Sequence, residues 1–366
     1  MNTIEHELNK NGIKVICPIE AKYVNNIAMY VAKTLCEKFP ELKLDYKTLY
    51  ARAFKLNMYI AEMSGSMSGA SYYYKNTSIY FQKGLSLNEI KKLAIHECIH
   101  YFQEIKDKRG VLRRLGLCSY AGSKAFGNAL NEASVQLMSA IATEEKRDSV
   151  TYYGISLPTD SPSYYPLLCN LIKQIGYLTG FKVLFESTFY SNDAFFDKFK
   201  AAFGVNNAFK IQKNFEKILA FENRIAQINS RVQKEELSYH KFKSSTDSIA
   251  KYKEKIKSTF LQTQNLIISS FFDDRLKKLT NTTQIENYRK YLYSFSNLIG
   301  TANGYNFFSD YYISKMAALD ELYENKTGAN VSLAVVKQSK LTELFGFIRN
   351  LFKGKAGETE YNNYKQ

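Results

Sequence analysis

Residues 86–102 read SLNEIKKLAIHECIHYF, and the organisation of the chain is worked out from them. Ser86 and Glu89 stand at the N-cap and N3 positions of a capping box, in which each side chain bonds the other residue's backbone N–H. Leu85 and Ile90 fall at the N′ and N4 positions of a hydrophobic staple, so a second signal marks the same helix start. Ile90, Leu93, Ala94, Ile99 and Phe102 recur at helical spacing. The pattern predicts an amphipathic helix opened by Ser86 and running to about Asp107 or Lys108.

His96, Glu97 and His100 form an H-E-x-x-H sequence inside that helix. Four residues along a helix advance about 6 Å and return to within about 40° of the same direction, so both imidazoles can reach one ion. Zinc accepts such nitrogens at about 2.0–2.1 Å. Glu97 lies roughly 60° round the helix from His100, beside the ion without being a ligand, which is the place of a general base. The chain has 4 histidines, His6, His96, His100 and His240, so composition alone seldom brackets a glutamate with two of them. The plain alternative is a pair of hydrogen-bonded histidines on a half-buried helix. Cys98 points roughly 160° away from both rings and is expected to pack in the core.

A catalytic zinc needs a third protein ligand and one open position. Downstream, Gly110, Gly116 and Gly122 mark a loop. Leu130, Ala133, Leu137, Met138 and Ile141 then outline a second helix from about Ser123 to Lys146. If this helix packs across the first, Glu132 points at the ion between the two histidines. Glu144, Glu145, Asp160 and His240 are the other candidates, with less context.

At these residues the chain resembles the gluzincins, zincin metallopeptidases that pair H-E-x-x-H with a glutamate ligand on a following helix. Asn131, Glu132 and Ala133 also look like the N-E-A around that glutamate in thermolysin-like members. The resemblance covers about residues 50–180 and its motifs are short. It implies a zincin-like domain, a Zn2+ cofactor held by His96, His100 and Glu132, and peptide-bond hydrolysis by a metal-activated water with Glu97 as general base. In that fold the strand before the active-site helix, here Ser78 to Gln82, borders the cleft and pairs with an extended substrate. A donor to the developing oxyanion is expected downstream, where Tyr152, Tyr153, Tyr164 and Tyr165 lie. Many gluzincins carry an acidic residue four positions after the ligand glutamate, orienting the first histidine. Here that position is Gln136, whose amide can accept the same imidazole N–H.

Upstream, Pro18, Ile19, Tyr23, Ile27, Val31 and Leu35 predict a helix ending by Phe39 and Pro40. Asn57 to Met63 reads as a strand and Ser64 to Gly69 as a flexible connection. Ser71 to Tyr74 and Ser78 to Gln82 read as a hairpin. Beyond the two central helices, Tyr164 to Thr179 closed by Gly180, and Asp193 to Phe203 before Gly204, read as helices. Long helical segments follow near 209–236, 246–272, 282–299 and 306–325. The expected fold class is α+β: a zincin-like catalytic domain over 1–205 with a small sheet and active-site helix, a mainly helical domain over 206–353, and a flexible tail over 354–366.

Bulk properties narrow the remaining classes. The 5 cysteines, Cys17, Cys36, Cys98, Cys118 and Cys169, are odd in number and without C-x-x-C spacing, which argues against a disulfide framework or a cysteine zinc ribbon. No stretch approaches the roughly 18 apolar residues of a membrane span, and Glu5, His6, Glu7 and Lys10 interrupt any signal-peptide core. A cytoplasmic protein is expected, with export by a non-classical route compatible. The net charge of +15 comes without a dense basic run, so no specific nucleic-acid partner is expected. The expected partner is a peptide or protein substrate, with a further protein partner conceivable on the helical C-terminal region. The rival reading is a non-catalytic helical binding or scaffold protein with a vestigial H-E-x-x-H.

Overall fold

A computed structural model describes residues 3–64, 69–122, 124–234, 239–299 and 307–327. The expected flexible connection at 64–69 and the tail at 354–366 fall largely or wholly outside these residues. The chain opens with α1 (Thr3–Lys10), β1 (Ile13–Pro18), α2 (Ala21–Lys38), a 3-10 turn (Pro40–Leu42), α3 (Tyr46–Phe54), β2 (Asn57–Met63), β3 (Ala70–Tyr73) and β4 (Ser78–Gln82). The central helix α4 (Leu87–Phe102) leads to β5 (Glu104–Lys106), β6 (Leu112–Leu115), β7 (Cys118–Ala121) and β8 (Lys124–Phe126), then to α5 (Asn128–Thr143). A hairpin of β9 (Arg147–Tyr152) and β10 (Ile155–Thr159) follows. After it come α6 (Pro166–Thr179), α7 (Phe181–Tyr190), α8 (Ala194–Phe203), α9 (Val205–Lys234), α10 (Tyr239–Leu276), α11 (Thr282–Ile299) and α12 (Phe307–Thr327). The chain is thus mixed α+β with a helical C-terminal region.

The first sheet has the order β1-β2-β4-β3, with β2 and β4 parallel and the outer pairs antiparallel. Ser78, Ile79, Tyr80 and Phe81 are all buried, as an interior strand requires, whereas β1 is exposed beyond Ile13. This corrects the expectation that Ser78–Gln82 is free to pair with an extended substrate. Ser78–Gln82 has a neighbour on each side, and β3 occupies the outer edge instead.

The capping box forms as the sequence predicts: Ser86 accepts from Glu89, and Glu89 accepts from the Ser86 backbone N–H at 2.7 Å. The helix ends earlier than expected, at Phe102, because Glu104–Lys106 pairs with β6. The loop expected after it is a four-stranded antiparallel sheet of order β5-β6-β7-β8. Gly110 (φ 77°), Gly116 (φ 55°) and Gly122 (φ 62°) lie in its turns, where a positive φ carries no penalty for glycine.

Helix α5 starts later than Ser123, at Asn128, and is buried on nearly every side. Gly127 at its N-cap offers no side chain, and Glu216 of α9 supplies the missing acceptor to the Ala129 N–H at 3.0 Å. The small residues Ala129 and Ala133 on α5 suit close packing against a neighbouring helix. Contacts divide the chain into two compact units: residues 1–147 with 158–271, and residues 148–157 with 272–366. The first unit runs past residue 205 and takes in α9. The second has a core of its own, in which Phe272 packs on Phe295 at 5.2 Å and accepts the Tyr288 hydroxyl at its carbonyl.

Candidate metal centre

Helix α4 presents His96 and His100 one turn apart, with ring centroids separated by 4.7 Å and Nε2 atoms by 3.0 Å. Helix α5 brings Glu132 to both: one carboxylate oxygen lies 3.5 Å from His96 Nε2 and the other 3.5 Å from His100 Nε2. Ligands about 2.0–2.1 Å from a tetrahedral ion stand about 3.3 Å apart; the Nε2–Nε2 separation and the two nitrogen–oxygen separations, each to a different carboxylate oxygen, lie near that edge. His96, His100 and Glu132 could therefore hold a metal ion, and they are the one group of three or more such side chains among the described residues.

Burial would raise the Glu132 carboxyl, but the adjoining His100 and His96 rings hold it well below the usual carboxylate range by charge and hydrogen bonding. Burial likewise acts to lower the His100 ring, and the Glu132 carboxylate outweighs it, leaving His100 raised. The donor set is two imidazoles and one anionic oxygen, a combination typical of a catalytic zinc site.

The outer contacts of the two histidines differ. His100 Nδ1 lies 3.3 Å from Gln103 Oε1, one turn further along and just past the end of α4. Gln103 is itself fixed, donating to the Thr188 carbonyl at 2.7 Å and exchanging amide hydrogen bonds with Asn131 at 3.3 Å. Nδ1 faces the Gln103 oxygen, so Nε2 is the nitrogen directed at Glu132. Gly116 allows this arrangement, since a Cβ there would stand 2.1 Å from Asn131 Oδ1 and 2.5 Å from Gln103 Nε2. His96 Nδ1, by contrast, is buried without a hydrogen-bond partner among the described residues. Gln136, whose amide was expected to serve it, donates to Ser161 Oγ at 3.0 Å instead.

Glu97 is 8% exposed, and its Oε2 accepts the backbone N–H of Tyr72 on β3 at 2.7 Å. Cys98 is fully buried, as its place on the helix predicts, and burial pushes its thiol well up. The rival ligands lie elsewhere. Glu144 pairs with Lys38, and Asp160 pairs with Lys173 at 2.6 Å. Glu145 does not join the group, and the His240 side chain lies outside the described residues.

Of the four tyrosines named as oxyanion donors, Tyr152 and Tyr153 pack ring to ring at 4.2 Å in and beside β9. Tyr164 has its hydroxyl beside Gly69, and Tyr165 is the N-cap of α6. None belongs to the metal group. Sequence reasoning missed Gln103, although its spacing from His100 was available. It also missed Tyr72, whose contribution is a backbone group.

No protein-family model matches this chain, and neither a curated protein nor a solved structure matches it. What its fold and site define by themselves is a mixed α+β protein with a His-His-Glu group able to hold a metal ion. In the described residues, no helix is long and apolar enough to cross a membrane.

Proposed function

We propose that this chain is a zinc-dependent peptidase with a zincin-like catalytic fold. One observation carries the reading: two imidazoles from α4 and a carboxylate from α5 converge on one point, with Glu97 next in sequence to the first. The order of a small sheet, then the H-E-x-x-H helix, then the helix with the third ligand supports the fold reading.

Zinc bound at this point would act as a Lewis acid and bring the pKa of a coordinated water towards about 7. His96 and His100 would supply Nε2 and Glu132 a carboxylate oxygen. Glu97 would take the proton of the attacking water and pass it to the departing amide nitrogen. The outer edge of β3, which packs beside α4, offers backbone groups to a peptide in extended form.

Elemental analysis of the full-length protein is expected to find about one zinc per chain. Glu97→Gln should keep the metal and lose peptide hydrolysis, whereas His96→Ala, His100→Ala and Glu132→Ala should each lose the metal as well. A wild-type chain that takes up no zinc, or a Glu97→Gln variant as active as the wild type, overturns the reading.

A further inference from the structure

Glu97 and Tyr72 meet in a way that the H-E-x-x-H pattern does not require. In an antiparallel pair, successive residues alternate between bonding across the ladder and pointing their N–H and C=O away from it. Gln82 N–H donates to the Gly69 carbonyl at 2.8 Å, and these residues continue the β3–β4 register in which Ala70 faces Phe81. That sets the phase: Ser71 and Tyr73 bond to β4, and the backbone groups of Ala70 and Tyr72 point off the edge. The Tyr72 N–H, so directed, meets Glu97 Oε2 at 2.7 Å.

The rest of the contact has the character of a built support. Tyr72 is fixed at its far end, where its phenol donates to Glu104 Oε1 at 2.8 Å and its ring lies 5.9 Å from that of Tyr101. Glu104 is in turn paired with Lys106 at 2.7 Å. Glu97 forms no ion pair and no other protein hydrogen bond among the described residues, so Oε2 is held while Oε1 is left for other work. A carboxylate held by an N–H at this distance makes a charge-assisted bond, roughly twice as strong as a neutral one. Holding one oxygen also removes the side-chain rotation that would otherwise spread the other over several positions.

We propose that the backbone N–H of Tyr72 is a positioning group for Glu97, fixing one carboxylate oxygen so that the other faces the water beside the metal. What the held oxygen then does rests on the peptidase reading, whereas the support itself does not.

The edge position makes a backbone test feasible. Proline in place of Tyr72 removes an N–H that takes no part in the ladder, a position at which sheets tolerate proline. Tyr72→Ala keeps the N–H and loses the same ring, so the comparison of Tyr72→Pro with Tyr72→Ala isolates the hydrogen bond. At equal zinc content, kcat for peptide hydrolysis is expected to be roughly 10- to 100-fold lower in Tyr72→Pro, with KM little changed. Equal kcat in the two variants overturns the proposal.

A second measurement needs no activity. Hydrogen exchange resolved at the Tyr72 amide in the full-length chain should show protection in the wild type that is lost in Glu97→Ala. An unprotected Tyr72 amide, or protection indifferent to Glu97→Ala, also overturns it. A wild type that hydrolyses no peptide while showing Glu97-dependent protection would sink the peptidase reading alone and leave the positioning bond standing.

Discussion

Gln103 gives the site an asymmetry that single residues can test. Its amide orients the His100 ring, and two partners, Asn131 and the Thr188 carbonyl, hold the amide. Replacing Gln103 by Leu should weaken zinc binding roughly 10- to 100-fold, measured by competition with a chromophoric chelator. Unchanged affinity would mean that His100 is oriented without it. Glu97, His96 and His100 were open to sequence reasoning because helical spacing alone aligns them. Glu132 was reached by asking which carboxylate a second helix could return. The Tyr72 N–H was beyond reach, since a backbone donor carries no residue identity and its direction depends on the phase of a strand pair.

At the level of elements, α5 depends on a donor–acceptor contact made over a long sequence distance. Its N-terminus begins with Gly127, and Glu216 of α9 does the capping. Glu216→Ala should therefore cost about 1 kcal/mol, read as a lower denaturation midpoint, and should also loosen zinc retention because Glu132 sits in the first turns of this helix. A thermal midpoint equal to that of the wild type would show that the contact contributes nothing. Helices α4, α5 and α6 were predicted, from Ser86 and Glu89 at one end of α4 to Gly180 after α6, whereas the shorter α1, α3 and α7 were not. The strands were harder. Glu104, Ile105 and Lys106 continue a helical pattern locally, and only pairing with Leu112–Leu115 makes them a strand. Similarly, Gly110, Gly116 and Gly122 read as a loop because turns closing short strands have the same composition as loops.

For the molecule as a whole, one pH-dependent liability lies away from the candidate metal group. Glu222 on α9 is buried, neither oxygen has a hydrogen-bond partner among the described residues, and burial pushes its carboxyl from an ordinary 4.5 up to about 8. In the unfolded chain the group loses its proton near the ordinary value, while the folded chain keeps it to about 8. Stability is thus fullest below the first value and falls as pH rises toward the second, by up to roughly 1.4 kcal/mol per pH unit. Glu222→Gln should flatten that slope and raise stability at pH 8, checked by urea midpoints across pH 5–9. A wild-type profile without the slope would show that Glu222 finds a partner on folding. Composition could not announce this acid, because its peculiarity is where α9 packs and not what surrounds it in sequence.

The two histidines are supported so differently that they need not move alike. His100 is held by a fixed amide, whereas the inner nitrogen of His96 is buried without a hydrogen-bond partner among the described residues. Without such a brace, one restraint on rotation of the His96 imidazole is missing. The His96 ring should therefore be the more mobile of the two, read as faster imidazole side-chain relaxation by NMR than at His100.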